Sequence, residues 1–218
     1  MEKDFWLERW EKQEIGFHEN DINAYLTRYW KELNPPSGST VFVPLCGKSN
    51  DMKWLREQGH PVLGVELSPL AAQAFFRENA YSAKGVKTGH FERYEANGIQ
   101  IDCGDFFDLS KDDLANVKAV YDRAAMIALP PEMRQRYVQH LVNILPSATQ
   151  ILLVTFDYPQ AEMSGPPFAV TPKEVEALYG KYAEINMLSQ TDSLPQNPRF
   201  KSKGLTRLQE SVFIMTLR

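Results

Sequence analysis

The segment Thr40-Val41-Phe42-Val43-Pro44-Leu45-Cys46-Gly47-Lys48-Ser49-Asn50-Asp51-Met52 constrains this chain more than any other. A β-branched and aromatic run stops at a proline, passes a turn with one glycine, and meets three residues suited to starting a helix. Strand, tight turn and helix follow. The helix runs over 52–58 to Gly59, and 61–67 reads as a second buried strand with Glu66 near its end. Glu66 stands twenty-one positions after Leu45. In a βαβ unit an acid about 20 residues on lies beside the first turn and accepts ribose hydroxyls. The implied ligand is a nucleoside; the alternative is an ordinary βαβ unit with an incidental glutamate.

The turn narrows the choice of nucleoside. Dinucleotide sites need several glycines because backbone must approach a pyrophosphate closely. Here Gly47 stands alone among Pro44, Leu45 and Cys46, side chains that a ligand without phosphates would tolerate. S-adenosylmethionine joins adenosine to an amino acid whose carboxylate can sit near amides at a helix start. Gly47-Lys48-Ser49 imitates the end of a phosphate-binding loop, with Asp122 after a strand as an apparent magnesium ligand. That motif would place its first glycine at Phe42, inside the strand, and Pro44 stiffens the loop. Nucleotide hydrolysis is therefore the weaker reading.

The 218 residues, 43% hydrophobic, can bury one substantial core. A net charge of -4 without a basic cluster gives no electrostatic footprint for nucleic acid. No apolar stretch spans a bilayer, and the first residues lack the order of a signal peptide. A cytoplasmic protein is expected, and with no dimer stripe evident, a monomer. Cys46 and Cys103 show no pairing or zinc spacing and read as small semi-buried residues, with a nucleophilic Cys46 as the sharper alternative. The four histidines, His18, His60, His90 and His140, have no identifiable partners. No metal site is expected.

Two amphipathic helices precede the first strand, one carrying Phe5, Trp6, Leu7 and Trp10, the other spanning 22–33. Trp10 can pack on the sheet or close over a ligand; Trp6 reads as packing. After Glu66, Ser68-Pro69 caps a helix over 70–79. Asn97-Gly98 between short alternating runs signals a hairpin. Gly104-Asp105-Phe106 then follows a strand over 99–103. Asp105 can accept from an exocyclic amine or merely cap a helix, and Phe106 can cover a base. A strand over 117–123 ends in Asp122-Arg123 at the ligand-facing edge. A helix over 132–145 and a strand over 150–156 lead to a Pro- and Gly-containing loop, 157–169, a candidate pocket wall. Thr171-Pro172-Lys173-Glu174 is a capping box. Strands over 182–188 and 208–217 close the fold around a loop, 192–204, carrying Arg199.

With these pieces assembled, the chain resembles the bacterial branch of the thiopurine S-methyltransferase family over nearly its whole length. The resemblance rests on Trp6, Trp10 and Phe17-His18, on Val43-Pro44-Leu45-Cys46-Gly47-Lys48-Ser49 with Asp51-Met52, on Gly64-Val65-Glu66, on Gly104-Asp105-Phe106-Phe107, on Tyr121-Asp122-Arg123-Ala124-Ala125 and on Arg199-Phe200-Lys201. It implies an α/β, Rossmann-like class I methyltransferase fold, with a mostly parallel seven-stranded-type sheet flanked by helices. One domain, 1–218, would include residues 1–36 as an N-terminal helical lid. S-adenosylmethionine would be the methyl donor, S-adenosylhomocysteine the product, and a thiol or selenol of an aromatic or heterocyclic small molecule the acceptor.

Trp10, Leu45, Glu66 and Arg123 match the family's donor contacts, and the reading of the strand ends adds Asp105 and Phe106. Arg199 matches an arginine linked to substrate, with Arg123 and Phe17 as further acceptor-side candidates. Asp122 and Arg123 are the catalytic candidates, Asp122 as proton acceptor or as the group that orients Arg123. Three alternatives share parts of this pattern: a methyltransferase for halide, oxygen, nitrogen or metalloid acceptors, a non-catalytic donor-binding module, and a nucleotide hydrolase.

Overall fold

The computed structural model describes residues 3–16 and 18–218. Two helices, α1 (Lys3–Glu11) and α2 (Ala24–Leu33), precede β1 (Thr40–Val43). Then come α3 (Asp51–Glu57), β2 (Val62–Glu66), α4 (Pro69–Glu78), β3 (Val86–Thr88), β4 (Phe91–Ala96), β5 (Ile99–Cys103) and β6 (Val117–Asp122). The rest is α5 (Ala125–Ala128), α6 (Pro131–Ile144), β7 (Gln150–Asp157), α7 (Pro172–Tyr179), β8 (Ala183–Asp192), α8 (Pro198–Ser202) and β9 (Gln209–Leu217).

One sheet carries the order β3-β4-β5-β2-β1-β6-β7-β9-β8. The five strands from β5 to β7 are mutually parallel. β9 runs antiparallel between β7 and β8, and the β3-β4 hairpin extends the opposite edge. The seven-stranded arrangement expected from the sequence is thus present, with two added strands. The chain winds outward through β2, returns, and continues from β6 in the other direction. The reversal between β1 and β6 leaves a crevice at the carboxyl ends of these strands, where open α/β sheets bind ligands.

Strand alternation divides the core into two layers. Phe42, Val65, Val120 and Leu153 face α6 and α7 through Tyr137, Leu141, Val175 and Tyr179. Val41, Val43, Ala119 and Leu152 face α2, α3 and α4 through Leu26, Leu33, Leu55 and Phe75. Burying each such Leu or Phe contributes about 1.5–3 kcal/mol. Residues 1–36, expected as one lid, therefore divide: α2 belongs to a core layer, with Leu26 fully buried, and α1 lies over the crevice.

Local chemistry sets the boundaries. Asn97 and Gly98, with φ of 54° and 77°, form the two-residue turn between β4 and β5. Ser68 caps α4 by accepting from the Ala71 amide, and Pro69 occupies the first helical position. Thr171 accepts from the Glu174 amide, but the Glu174 carboxylate reaches Arg134 at 2.5 Å, so only half of the predicted capping box forms. Asn50, a predicted cap, makes no capping bond with its side chain. Buried Asp51 instead accepts from the Asn23 amide and the Tyr121 hydroxyl, each at 2.9 Å, tying the starts of α2 and α3 to β6. Within 192–204, read as loop, Pro198–Ser202 forms the short α8 that carries Arg199.

Candidate active site

The turn after β1 is built around an acid. Leu45 and Gly47 both take left-handed backbone, φ 45° and 54°, a conformation costing a non-glycine residue about 1–2 kcal/mol. The Cys46 amide bonds the Val65 carbonyl at 3.0 Å, and the Gly47 amide donates to Glu66 Oε2 at 2.8 Å. Glu66 Oε1 accepts from the Ser68 amide at 2.7 Å, and its carbonyl accepts from Gly104 at 2.9 Å. Glu66 thus joins the ends of β1, β2 and β5. Burial pushes its carboxyl group up from the ordinary range, and the amides of Ser68, Gly47 and Leu67 partly offset that. The two short bonds, Gly47 to one carboxylate oxygen and Ser68 to the other, leave acceptor capacity facing the crevice.

That crevice is a cavity of about 880 Å³, within the range of small-molecule sites of roughly 300–1,000 Å³. Leu45, Glu66, Asp105, Phe106, Arg123 and Ala124 line it from successive strand ends, and Pro166 and Pro167 form a side wall, as expected of 157–169. Trp6 and Trp10 of α1 roof it. A Cβ built on Gly47 would stand 3.2 Å from the Trp10 ring, so the turn is cradled directly beneath that indole. Three contacts bind the N-terminal segment across the mouth: Lys3 to Asp105 at 2.7 Å, Glu19 to Arg123, and the Gly16 carbonyl to Arg199. Phe17 lies outside the described residues.

Among the described residues, Trp10, Leu45, Glu66, Asp105, Phe106, Arg123 and Arg199 line this one cavity, and Asp122 does not. It is 1% exposed and accepts from the Tyr137 hydroxyl at 2.6 Å and the Met126 amide at 3.2 Å. Burial raises its pKa to about 6, against these hydrogen bonds. The expected pairing with Arg123 does not occur: Asp122, the last residue of β6, turns into the core, whereas Arg123, just past the strand end, turns to Glu19. Asp122 therefore braces the start of α5, correcting both roles expected of it.

Asp105 takes the capping reading and also stands on the cavity wall. It caps the turn by accepting from the Phe107 amide at 3.0 Å and pairs with Lys3, while lining the cavity. Burial works to raise its pKa, but the Lys3 and Phe107 hydrogen bonds outweigh it and hold the carboxyl below the usual range. Phe106 packs 4.9 Å from Tyr137, ring to ring, and completes that end of the wall. The cysteines are poor nucleophiles. Cys46 is packed so closely on Gly64 that a Cβ there would lie 2.6 Å from its sulfur, and burial pushes its thiol well up. Burial raises Cys103 to about 12. Lys48 pairs with Glu78 at 2.8 Å instead of facing the turn as a phosphate-binding lysine would.

Sequence reasoning missed Glu210, Phe156 and Arg136, all on the wall. Glu210 was traceable in principle. β9 runs against its neighbours, so its beginning lies at the carboxyl edge of the parallel strands, and Glu210 is the lone charge in that strand.

Sheet order, left-handed turn and acidic strand end define a class I S-adenosylmethionine-dependent methyltransferase. Solved structures share the fold: a methyltransferase from Anabaena variabilis superimposes with a TM-score of 0.66 at 15% identity, covering 99% of this chain and 95% of that one. A Burkholderia thailandensis 1,6-didemethyltoxoflavin-N1-methyltransferase, solved with S-adenosylhomocysteine, gives 0.65 at 15% identity over 99% and 87%. The family model described as thiopurine S-methyltransferase matches residues 1–218. Curated relatives of that name from Nitrosospira multiformis and Marinobacter nauticus are 61% and 50% identical, covering 100% and 99% of this chain and 99% of each relative. The chain belongs to the thiopurine S-methyltransferase family.

Proposed function

We propose that this chain transfers the methyl group of S-adenosylmethionine to the thiol or selenol of an aromatic or heterocyclic small molecule, leaving S-adenosylhomocysteine. The observation that carries the donor assignment is Glu66, buried at the switch point with both oxygens held by amides and facing the cavity. The residues fit the donor: an acid for ribose hydroxyls, a single glycine beneath Trp10, and apolar cover from Leu45 and Phe106. When bound, S-adenosylmethionine supplies a methyl carbon already activated on a sulfonium.

The protein's task is then alignment in a dry space, where effective molarities reach roughly 10⁵–10⁸ M. Trp6, Trp10 and the proline wall exclude water. Arg123 and Arg199 line the cavity as cations that favour a thiolate over a thiol. Asp105 and Phe106 serve the adenine side. The three contacts across the mouth support a lid made of α1 and the segment to Glu19, within a single domain spanning 1–218. No described helix is long and apolar enough to cross a membrane. We assign the protein to the cytoplasm as a monomer acting on small molecules, without nucleic acid.

Calorimetric titration with S-adenosylmethionine and S-adenosylhomocysteine tests this reading. Hydrogen bonds to a charged group are worth about 1.5–3 kcal/mol, so Glu66→Ala should weaken donor binding by roughly 10–100-fold. Unchanged affinity would remove Glu66 from the donor site, and no binding to the parent protein would end the methyltransferase reading.

A further inference from the structure

Thiol methylation releases a proton, and the cavity wall holds five acids among the described residues: Glu14, Glu19, Glu66, Asp105 and Glu210. Four are committed. Glu14 pairs with Arg9, Glu19 with Arg123, Asp105 with Lys3, and Glu66 is held by two amides. Glu210 makes no ion pair within 4 Å among the described residues. Its partner is the hydroxyl of Tyr25 on α2. It stands in register with Phe156 on β7 and Thr191 on β8. Arg123 and the aromatic Phe200 line the same cavity.

From this arrangement we infer that Glu210 is the proton acceptor for the methyl acceptor, receiving the proton of its thiol or, in a thione tautomer, of its ring N–H. The inference rests on the proposed thiol-directed function. The S–H or N–H proton passes to a Glu210 carboxylate oxygen as the acceptor sulfur becomes anionic near Arg123. That sulfur's electron pair forms the new carbon–sulfur bond, while the electrons of the broken bond stay on the departing sulfur of the donor. Glu210 releases the proton to water after the product leaves. Burial raises the Glu210 carboxyl above the ordinary range, in a balance with Tyr25, Glu19 and Arg123, the titratable groups that face it. A base of raised pKa suits proton abstraction near neutrality.

The test compares two acceptors with parent and Glu210→Gln proteins. Benzyl mercaptan stays protonated at neutral pH, as thiols of pKa about 8.5 do; para-nitrothiophenol is already ionised and needs no base. Loss of a general base is expected to cost roughly 10²-fold in kcat/KM with benzyl mercaptan, so the ratio of the two activities should move at least tenfold. The variant's rate with benzyl mercaptan should also climb with pH up to the thiol's own pKa. A ratio that moves less than tenfold overturns the inference, because equal losses mean that Glu210 only packs. Absence of transfer by the parent protein to either thiol would overturn the proposed function itself. Should Glu210→Gln fail to bind S-adenosylhomocysteine, Tyr25→Phe decides. Removing the Tyr25 hydrogen bond should shift the acid limb of the benzyl mercaptan profile to higher pH, and an unmoved limb overturns the assignment.

Discussion

Replacing Asp122 with asparagine isolates the effect of one buried charge. The carboxyl group is sealed beneath α5 and α6, where burial lifts its pKa from an ordinary 3.8 to about 6 despite the donors from Tyr137 and Met126. A carboxyl group whose pKa rises on folding binds its proton more tightly in the folded state. Its stabilising contribution is complete below the unfolded pKa and is lost as pH rises through the folded one. The window therefore runs from about pH 4 to about pH 6. That interval is about two pH units, corresponding to about 3 kcal/mol at about 1.4 kcal/mol each. Asparagine does not titrate, and the other groups cancel when the two proteins are compared. Urea unfolding at constant salt from pH 4 to pH 7 should show Asp122→Asn gaining about 3 kcal/mol relative to the parent across that window. A difference that stays flat or falls with pH would refute the reasoning, because it would mean that the hydrogen bonds to the carboxylate outweigh its desolvation.

Two other substitutions probe the turn and the mouth. Gly47→Ala forces a side chain onto a φ of 54° and against Trp10; it should destabilise the fold by about 1–2 kcal/mol and weaken donor binding, measured by thermal unfolding and calorimetry. Arg199→Ala removes a cation from the acceptor side and its bond to Gly16. It should raise KM for an ionised thiol roughly tenfold while the dissociation constant for S-adenosylhomocysteine changes much less, and equal changes in both would place Arg199 with the donor.

The parts of the fold with local chemical signatures were legible in the sequence. The strand, turn and helix around Gly47, the spacing to Glu66, the Asn97-Gly98 hairpin and the Ser68 cap each follow from backbone geometry that a few neighbouring residues enforce. Side-chain direction at a strand end was not legible. Asp122 and Arg123 read as one functional pair, yet the strand ends between them; Asp122 stays in the core and Arg123 reaches the cavity, and only the assembled packing shows which is which. Nor could a local pattern show that Asp51, an apparent helix cap, would be spent on Tyr121 and Asn23, residues distant in the chain. β3, a short and fully exposed edge strand, lacks the apolar alternation that marks a strand in sequence. Glu210 needed the antiparallel placement of β9, which is a property of the assembled sheet.

The bond from Arg199 to Gly16 joins positions 183 residues apart. Its consequence concerns completeness. The half of the chain that holds Gly47 and Glu66 contains its own helices and strands, but one of the three fastenings of the roof is a residue made near the end of synthesis. Closing so long a loop belongs to the late, non-local part of folding. A fragment can carry the acid and the turn and still present only an open trough. The cavity therefore works as a checksum on the chain: α1 supplies its roof and residues 197–210 part of its wall, so it is complete only when the first and last elements have met.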